Sequence, residues 1–294
     1  MKNDPHFQML RIRMIEEEIA KRYPEGKMRC PVHLSVGQEA SAVGICQSLN
    51  SGDKMVSTHR GHAHYLAKGG SLKALIGEIY GKISGCSKGN GGSMHLLDLS
   101  CGFYGSTSIV GGTIPIGVGL ALSDKLQGKD HTTVICFGDA AIEEGVFHEA
   151  ANFASLHNLN VIFACENNEY SCYTHISNRQ PTRSGEGFAS IANCHGLSFC
   201  QSDEDVETVK YNTKWILKHL PGFLEIPAWR QLEHCGPNND DHLGYRMQRG
   251  FDPLPQDGKE IIQQEIDEAF AAAEAAPYPD KSEIGKYVFA PTHV

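Results

Sequence analysis

Two short polar pairs stand where a fold most easily builds chemistry. Gly138-Asp139 follows the apolar run Thr132 to Phe137 (TTVICF), and Asn167-Asn168 follows Asn160 to Cys165 (NVIFAC) after Glu166. Both runs read as buried strands, with a helix predicted between them from Glu143 to His157, which makes one βαβ unit. Sequential parallel strands joined by one right-handed crossover lie side by side with their carboxyl ends on the same edge. Open α/β sheets bind ligands at that edge, and a carboxylate and an amide oxygen one strand apart form a half-shell for a hard cation such as magnesium. Magnesium completes its octahedron with water and phosphate oxygens, so the expected ligand is a magnesium-bound phosphate ester. Ala140-Ala141-Ile142 is predicted to open a helix whose free amide groups receive an anionic oxygen; a diphosphate would satisfy both features. A second chemistry is written in HRGHAH, where His59, His62 and His64 have spacing that would hold zinc in a metal-dependent hydrolase. The plainer reading is a surface histidine cluster on a helix, and a hydrolase leaves Asp139 and Asn168 without a role.

The elements that must position these groups are legible from periodicity. Phe7, Leu10, Met14, Ile15 and Ile19 predict a leading helix over residues 6–22, stopped by Pro24 and Gly26. A second helical stretch begins near Gly37, and Ser71 caps a third whose Leu72, Leu75, Ile76 and Ile79 form one apolar face. From Gly81 to Gly112 glycines alternate with aromatic and apolar residues, which predicts an ordered site loop. Leu197 to Gln201 and Phe223 to Ile226 supply further strands around a helix from Asp205 to Lys218, and Lys259 to Ala276 is an alanine-rich helix ended by Pro277. The class is α/β, with a mostly parallel central sheet and helices on both faces.

Composition removes several functions. The 294 residues are 40% hydrophobic and 21% charged, within the range of folded chains, and a net charge of -9 repels a phosphate backbone. Nucleic acid is therefore not an expected partner. The run Thr113 to Leu122 (TIPIGVGLAL) is far shorter than the roughly 20 residues of a membrane span. The opening MKNDPHFQ lacks the apolar core of a secretory signal, so a cytoplasmic location is expected. Ten cysteines from Cys30 to Cys235 show no CxxC pair, which predicts reduced, mostly buried thiols.

The motifs together resemble a known family. The Gly-Asp pair with its following asparagines resembles the thiamine diphosphate signature. HRGH at His59 to His62, GCSKGNGGSMH at Gly85 to His95 and FYGSTSIVGGTIPIGVGLAL at Phe103 to Leu122 look like the alpha subunits of 2-oxo acid dehydrogenase decarboxylase components, of pyruvate or acetoin dehydrogenase type. The resemblance runs from about residue 30 to 235. It implies a thiamine diphosphate-binding fold in which Asp139, the Asn168 side chain and the Tyr170 carbonyl ligate magnesium. Arg60 would pair with the diphosphate, and Ser108 and Val110 would offer backbone contacts to the aminopyrimidine. His59, Gly138, Ala140, Ala141, Cys172 and Arg230 would complete the cofactor's surroundings, and His62 and His234 would act as catalytic imidazoles in the active-site channel. A separate beta subunit would supply the activating glutamate, in an assembly of two alpha and two beta chains. The substrate would be a 2-oxo acid, and the acceptor a lipoyl carrier on an acyltransferase.

The chain departs from the family pattern at several of these positions. Ala140 stands in place of a glycine, Cys172 in place of a bulkier apolar residue, His59 in place of a tyrosine, and Leu232 in place of the first of two histidines. Cys235 occupies the position of a serine that is phosphorylated in mitochondrial relatives. These changes motivate two alternatives: carboligation of the activated aldehyde onto a second carbonyl, and a non-catalytic binding subunit. The expected organisation is an N-terminal helical arm over 1–30, a thiamine diphosphate and magnesium-binding domain over 31–250, and a C-terminal helix and tail over 251–294.

Overall fold

The computed structural model describes residues 3–181, 188–246, 254, 257–283 and 285–286. The expected boundary at 250/251 lies outside the described residues. In chain order the main elements are α1 (Pro5–Arg22), α2 (Glu39–Cys46), β1 (Lys54–Ser57), α3 (His62–Ala67), α4 (Leu72–Ile79), β2 (Phe103–Ser106), α5 (Thr113–Leu126), β3 (Thr133–Gly138), α6 (Gly145–Leu156) and β4 (Val161–Asn167). A short antiparallel hairpin follows, β5 (Tyr170–Ser171) and β6 (Thr174–His175). Then come α7 (Ala189–Cys194), β7 (Ser198–Gln201), α8 (Val206–Ile216), β8 (Gly222–Pro227) and α9 (Lys259–Ala275).

Six strands form one sheet in the order β2-β1-β3-β4-β8-β7, with every pair parallel. Strand side chains alternate between faces, and here each face meets its own helical layer. Val134, Cys136, Ile162, Ala164, Leu224 and Ile226 pack with α1, α2, α3, α4, α8 and α9. Ile135, Phe137, Val161, Phe163, Cys165 and Phe223 pack with α5, α6 and α7. The long apolar runs of β3 and β4 follow from burial on both sides. α1 contributes Ile12, Ile15 and Ile19 to the first of these cores.

The predicted helices form close to their expected bounds, with Asp4, Ser71 and Asp205 accepting from first-turn N–H groups as caps. Four strands, β1, β2, β5 and β6, and two helices, α5 and α7, go beyond the sequence reading. β1 and β2 have four residues each, too few for a periodic pattern. α5 contains Pro115 and two glycines, yet it is helical because it lies close against the sheet: a Cβ on Gly117 would stand 2.4 Å from Ile135 Cγ1. The ten cysteines are all free, as expected, but only Cys136 and Cys165 are buried, and Cys172, Cys194 and Cys235 are exposed. No helix among the described residues is long and apolar enough to cross a membrane.

Candidate active site

In a wholly parallel sheet every strand ends on the same edge, and five of the six carry the chain from that edge into a candidate site segment. β3 pairs with β4 through Gly138 and Glu166, so Asp139 and Asn168 emerge from neighbouring strand tips. The Asn168 backbone favours the charged form of the Asp139 carboxyl. Asp139 is 1% exposed. Burial pushes its carboxyl above the usual range, and the guanidinium of Arg179 pulls against that shift, with Nη2 2.5 Å from Oδ2. A buried carboxylate demands a positive partner, so the donor set suits a hard cation. The Asn168 Oδ1 accepts the N–H of Tyr170 at 2.8 Å.

The residues after Gly138 differ from expectation. Asp139–Glu143 is a 3-10 turn, and α6 starts only at Gly145, so Ala140 and Ala141 do not open an α-helix. Their amides belong to the tighter turn, which Gln180 and Arg179 brace by bonding Glu143. Glu143, expected to begin the helix, is thus part of the site's charge balance.

The hairpin after β4 presents Tyr170 between two strained residues, Glu169 at φ 64° and Cys172 at φ 52°. Tyr170 OH donates to the Tyr245 carbonyl at 2.7 Å. Arg230, which emerges after β8, donates to the Cys172 carbonyl at 3.1 Å and to the Leu232 carbonyl at 2.6 Å. Its guanidinium also pairs with Asp240 at 3.3 Å, in a buried cluster with Tyr245 and Arg246. Arg230 therefore ties the hairpin to the β8 loop. Leu232 packs against the core.

Arg60, just beyond β1, is buried and reads main chain: Nη1 bonds the Leu34 carbonyl at 2.7 Å and Nη2 the His234 carbonyl at 2.8 Å. Two backbone bonds, Gln231 N to Val36 O and Gly236 N to Val32 O, zip the same two segments together. The result is a cluster of His33, His59 and His234, with ring centroids 4.7–5.4 Å apart. Burial, aided by the positive charge of Arg60, pushes His33 and His59 down to about 3 and His234 to about 4. The three rings are uncharged at neutral pH. His33 Nδ1 is buried without a hydrogen-bond partner.

Sequence reasoning missed His33, whose only signal is a histidine inside the apolar run PVHLSV. His62 is placed differently from the expectation. It is fully buried, with Nδ1 2.8 Å from Glu16 Oε1 and Nε2 2.8 Å from Ser93 Oγ, so both ring nitrogens are engaged within the chain. His64 turns to Ser57. His59 lies ahead of α3 and faces His33 and His234, while His62 and His64 turn to other partners, so the three do not converge on one ion and the zinc hydrolase reading loses its ligand set. Ser108 and Val110 lie exposed on the loop between β2 and α5, at the same sheet edge.

Comparison with known proteins shows the family. A family model described as the dehydrogenase E1 component matches residues 7–257. The alpha subunit of an acetoin:2,6-dichlorophenolindophenol oxidoreductase from Bacillus subtilis (strain 168) is 32% identical over 300 residues, covering 94% of this chain and 90% of that one. The pyruvate dehydrogenase E1 component subunit alpha of Rickettsia bellii is 31% identical over 310 residues, covering 96% and 93%. Among solved structures, transketolase from Leishmania mexicana superposes with a TM-score of 0.63 at 17% identity, over 92% of this chain and 46% of that one, which shows the fold alone. The chain belongs to the dehydrogenase E1 component family, as an alpha-type subunit of a thiamine diphosphate-dependent 2-oxo acid dehydrogenase.

Proposed function

We propose that this chain works with a separate beta-type subunit, that it holds thiamine diphosphate through magnesium, and that the unit left after decarboxylation passes to a lipoyl carrier. The observation that carries the reading is the buried Asp139 carboxylate beside Asn168 at two adjacent strand tips. Asp139, the Asn168 side chain and the Tyr170 carbonyl would hold the metal, after Asn168 Oδ1 releases the Tyr170 N–H. Glu169 and Cys172, in left-handed backbone, fix the turn on either side of Tyr170. Gly138, Ala140 and Ala141 would line the diphosphate, and Arg60 retains donors for it beyond the two given to carbonyls.

When bound, thiamine diphosphate supplies the nucleophilic carbon and the electron sink that decarboxylation requires. The chain's own residues supply the surroundings. His33, His59 and His234 enter as neutral imidazoles, each able to donate one hydrogen bond and accept another at the substrate. His62 would act indirectly, by fixing Ser93 and the Glu16 carboxylate beneath the site. The backbone of Ser108 and Val110 would meet the aminopyrimidine, and the beta subunit would bring the glutamate that activates it.

The beta partner has a place to bind. Ile109 and Val110 on the site loop, Ile116 on α5 and Phe153 and Leu156 on α6 are exposed apolar side chains, and α5 and α6 pack side by side. Such a patch marks an association surface. An assembly of two alpha and two beta chains would bury it twice.

The test is reconstitution with the beta partner, followed by calorimetry with thiamine diphosphate and magnesium and by carbon dioxide release from pyruvate. Asp139→Ala is expected to lose cofactor binding; unchanged binding in that variant contradicts the reading. Products analysed with and without a lipoylated carrier, and with an added aldehyde, separate acyl transfer from carboligation. Failure of the cofactor to bind even with the beta chain present would make this a non-catalytic subunit.

A further inference from the structure

Asp139, the carboxylate proposed to bind the metal, already has a cation. Arg179 places Nη2 2.5 Å from Asp139 Oδ2, bonds Glu143 through Nη1, and donates from Nε to the Thr174 carbonyl at 3.1 Å. Its side chain is only 9% exposed. Gln180 adds a bond to Glu143 at 2.8 Å. A 3-10 turn, Ile176–Asn178, presents this arginine, with the Arg179 N–H on the Ile176 carbonyl at 3.0 Å. That turn directly follows the β5–β6 hairpin, which begins at Tyr170. One short segment therefore supplies both a proposed metal ligand and a guanidinium that competes for another.

A guanidinium and a divalent ion drawn to the same buried carboxylate repel each other, and little solvent screens them there. Removing the arginine with nothing in exchange strands a buried charge. We propose, resting on the reading that Asp139 binds the metal, that Arg179 is an internal counter-ion that closes the cation site and is displaced when metal and diphosphate enter. It thereby sets the affinity of this subunit for its cofactor. As the arginine leaves, its bonds to Glu143 and to the Thr174 carbonyl break with the pair to Asp139. In the opposite arrangement Arg179 stays on the second carboxylate oxygen and aims the first at the ion, as outer hydrogen bonds around metals do. The two arrangements predict effects of opposite sign.

The experiment uses the full chain assembled with its beta partner, titrated with Mn2+ in the presence of thiamine diphosphate and read by the paramagnetic signal of free Mn2+. Wild type is compared with Arg179→Gln and Arg179→Ala, and each is melted before and after loading. An open form amounting to about 1–10% of the population implies that both variants bind about ten- to a hundredfold more tightly. Both should melt below wild type when unloaded, with the gap closing on loading. Weaker or unchanged binding in the variants overturns the counter-ion role. If wild type and Asp139→Ala fail equally to retain Mn2+ with thiamine diphosphate, the metal reading itself falls, and this proposal with it.

Discussion

At the scale of single residues, the site is governed by where charge is allowed. The three clustered imidazoles are held at about 3, about 3 and about 4, against 6.5 in an unfolded chain. Between pH 6.5 and those values the unfolded state binds more protons than the folded one, so stability falls as pH falls through that window. Above pH 6.5 both states are neutral at these rings and their contribution is constant. Resistance to urea is therefore expected to fall from pH 6.5 toward 4, and His33→Gln to make the decline shallower by up to one proton, about 1.4 kcal/mol per pH unit. An identical slope in the variant would show that His33 takes up its proton as freely in the folded chain as in the unfolded one.

At the scale of elements, the glycine-rich stretch shows what holds so glycine-dense a loop in order. Glu78, fully buried on α4, accepts four backbone N–H groups: Ser87 at 2.8 Å, Gly89 at 2.9 Å, Gly91 at 2.6 Å and Gly92 at 3.1 Å. The bare backbone must come close, since a Cβ on Gly91 would stand 2.0 Å from the His95 carbonyl oxygen. This loop delivers Ser93 to His62. Glu78→Gln turns one acceptor oxygen into a donor facing two N–H groups. It is expected to cost about 1–3 kcal/mol for each group left unsatisfied, and to raise hydrogen exchange across 87–92; protected amides there would show another anchor. The sequence displayed the order of this loop through its interleaved Phe103 and Tyr104, but the anchor was hidden, because a glutamate's burial is not written in its neighbours. The same limit applied to Arg179 and His33. Asp139 and Asn168, by contrast, were legible because they terminate long apolar strands, and strand adjacency follows from a short crossover.

At the scale of the whole molecule, the parallel sheet gathers segments from five strand ends on one edge, and the exposed apolar face of α5 and α6 lies on the layer next to it. Ile116 is 54% exposed, and a Cβ on its neighbour Gly119 would meet nothing within 4 Å. Ile116→Asp is therefore expected to leave the unfolding free energy of the isolated chain within about 0.5 kcal/mol of wild type, while weakening assembly with the beta subunit in sedimentation. Normal assembly would move the contact surface elsewhere.

The guanidinium of Arg60 holds Leu34 and His234 by their backbone carbonyls. Carbonyls are common to all twenty amino acids, so the scaffold that gathers the cluster is indifferent to which residue stands at 234 or beside it. An evolving lineage can therefore change the side chain at 234 without dismantling the frame. A designer who wants a different acceptor has the same freedom: diversify the side chains at 33, 232 and 234, and leave residue 60 alone.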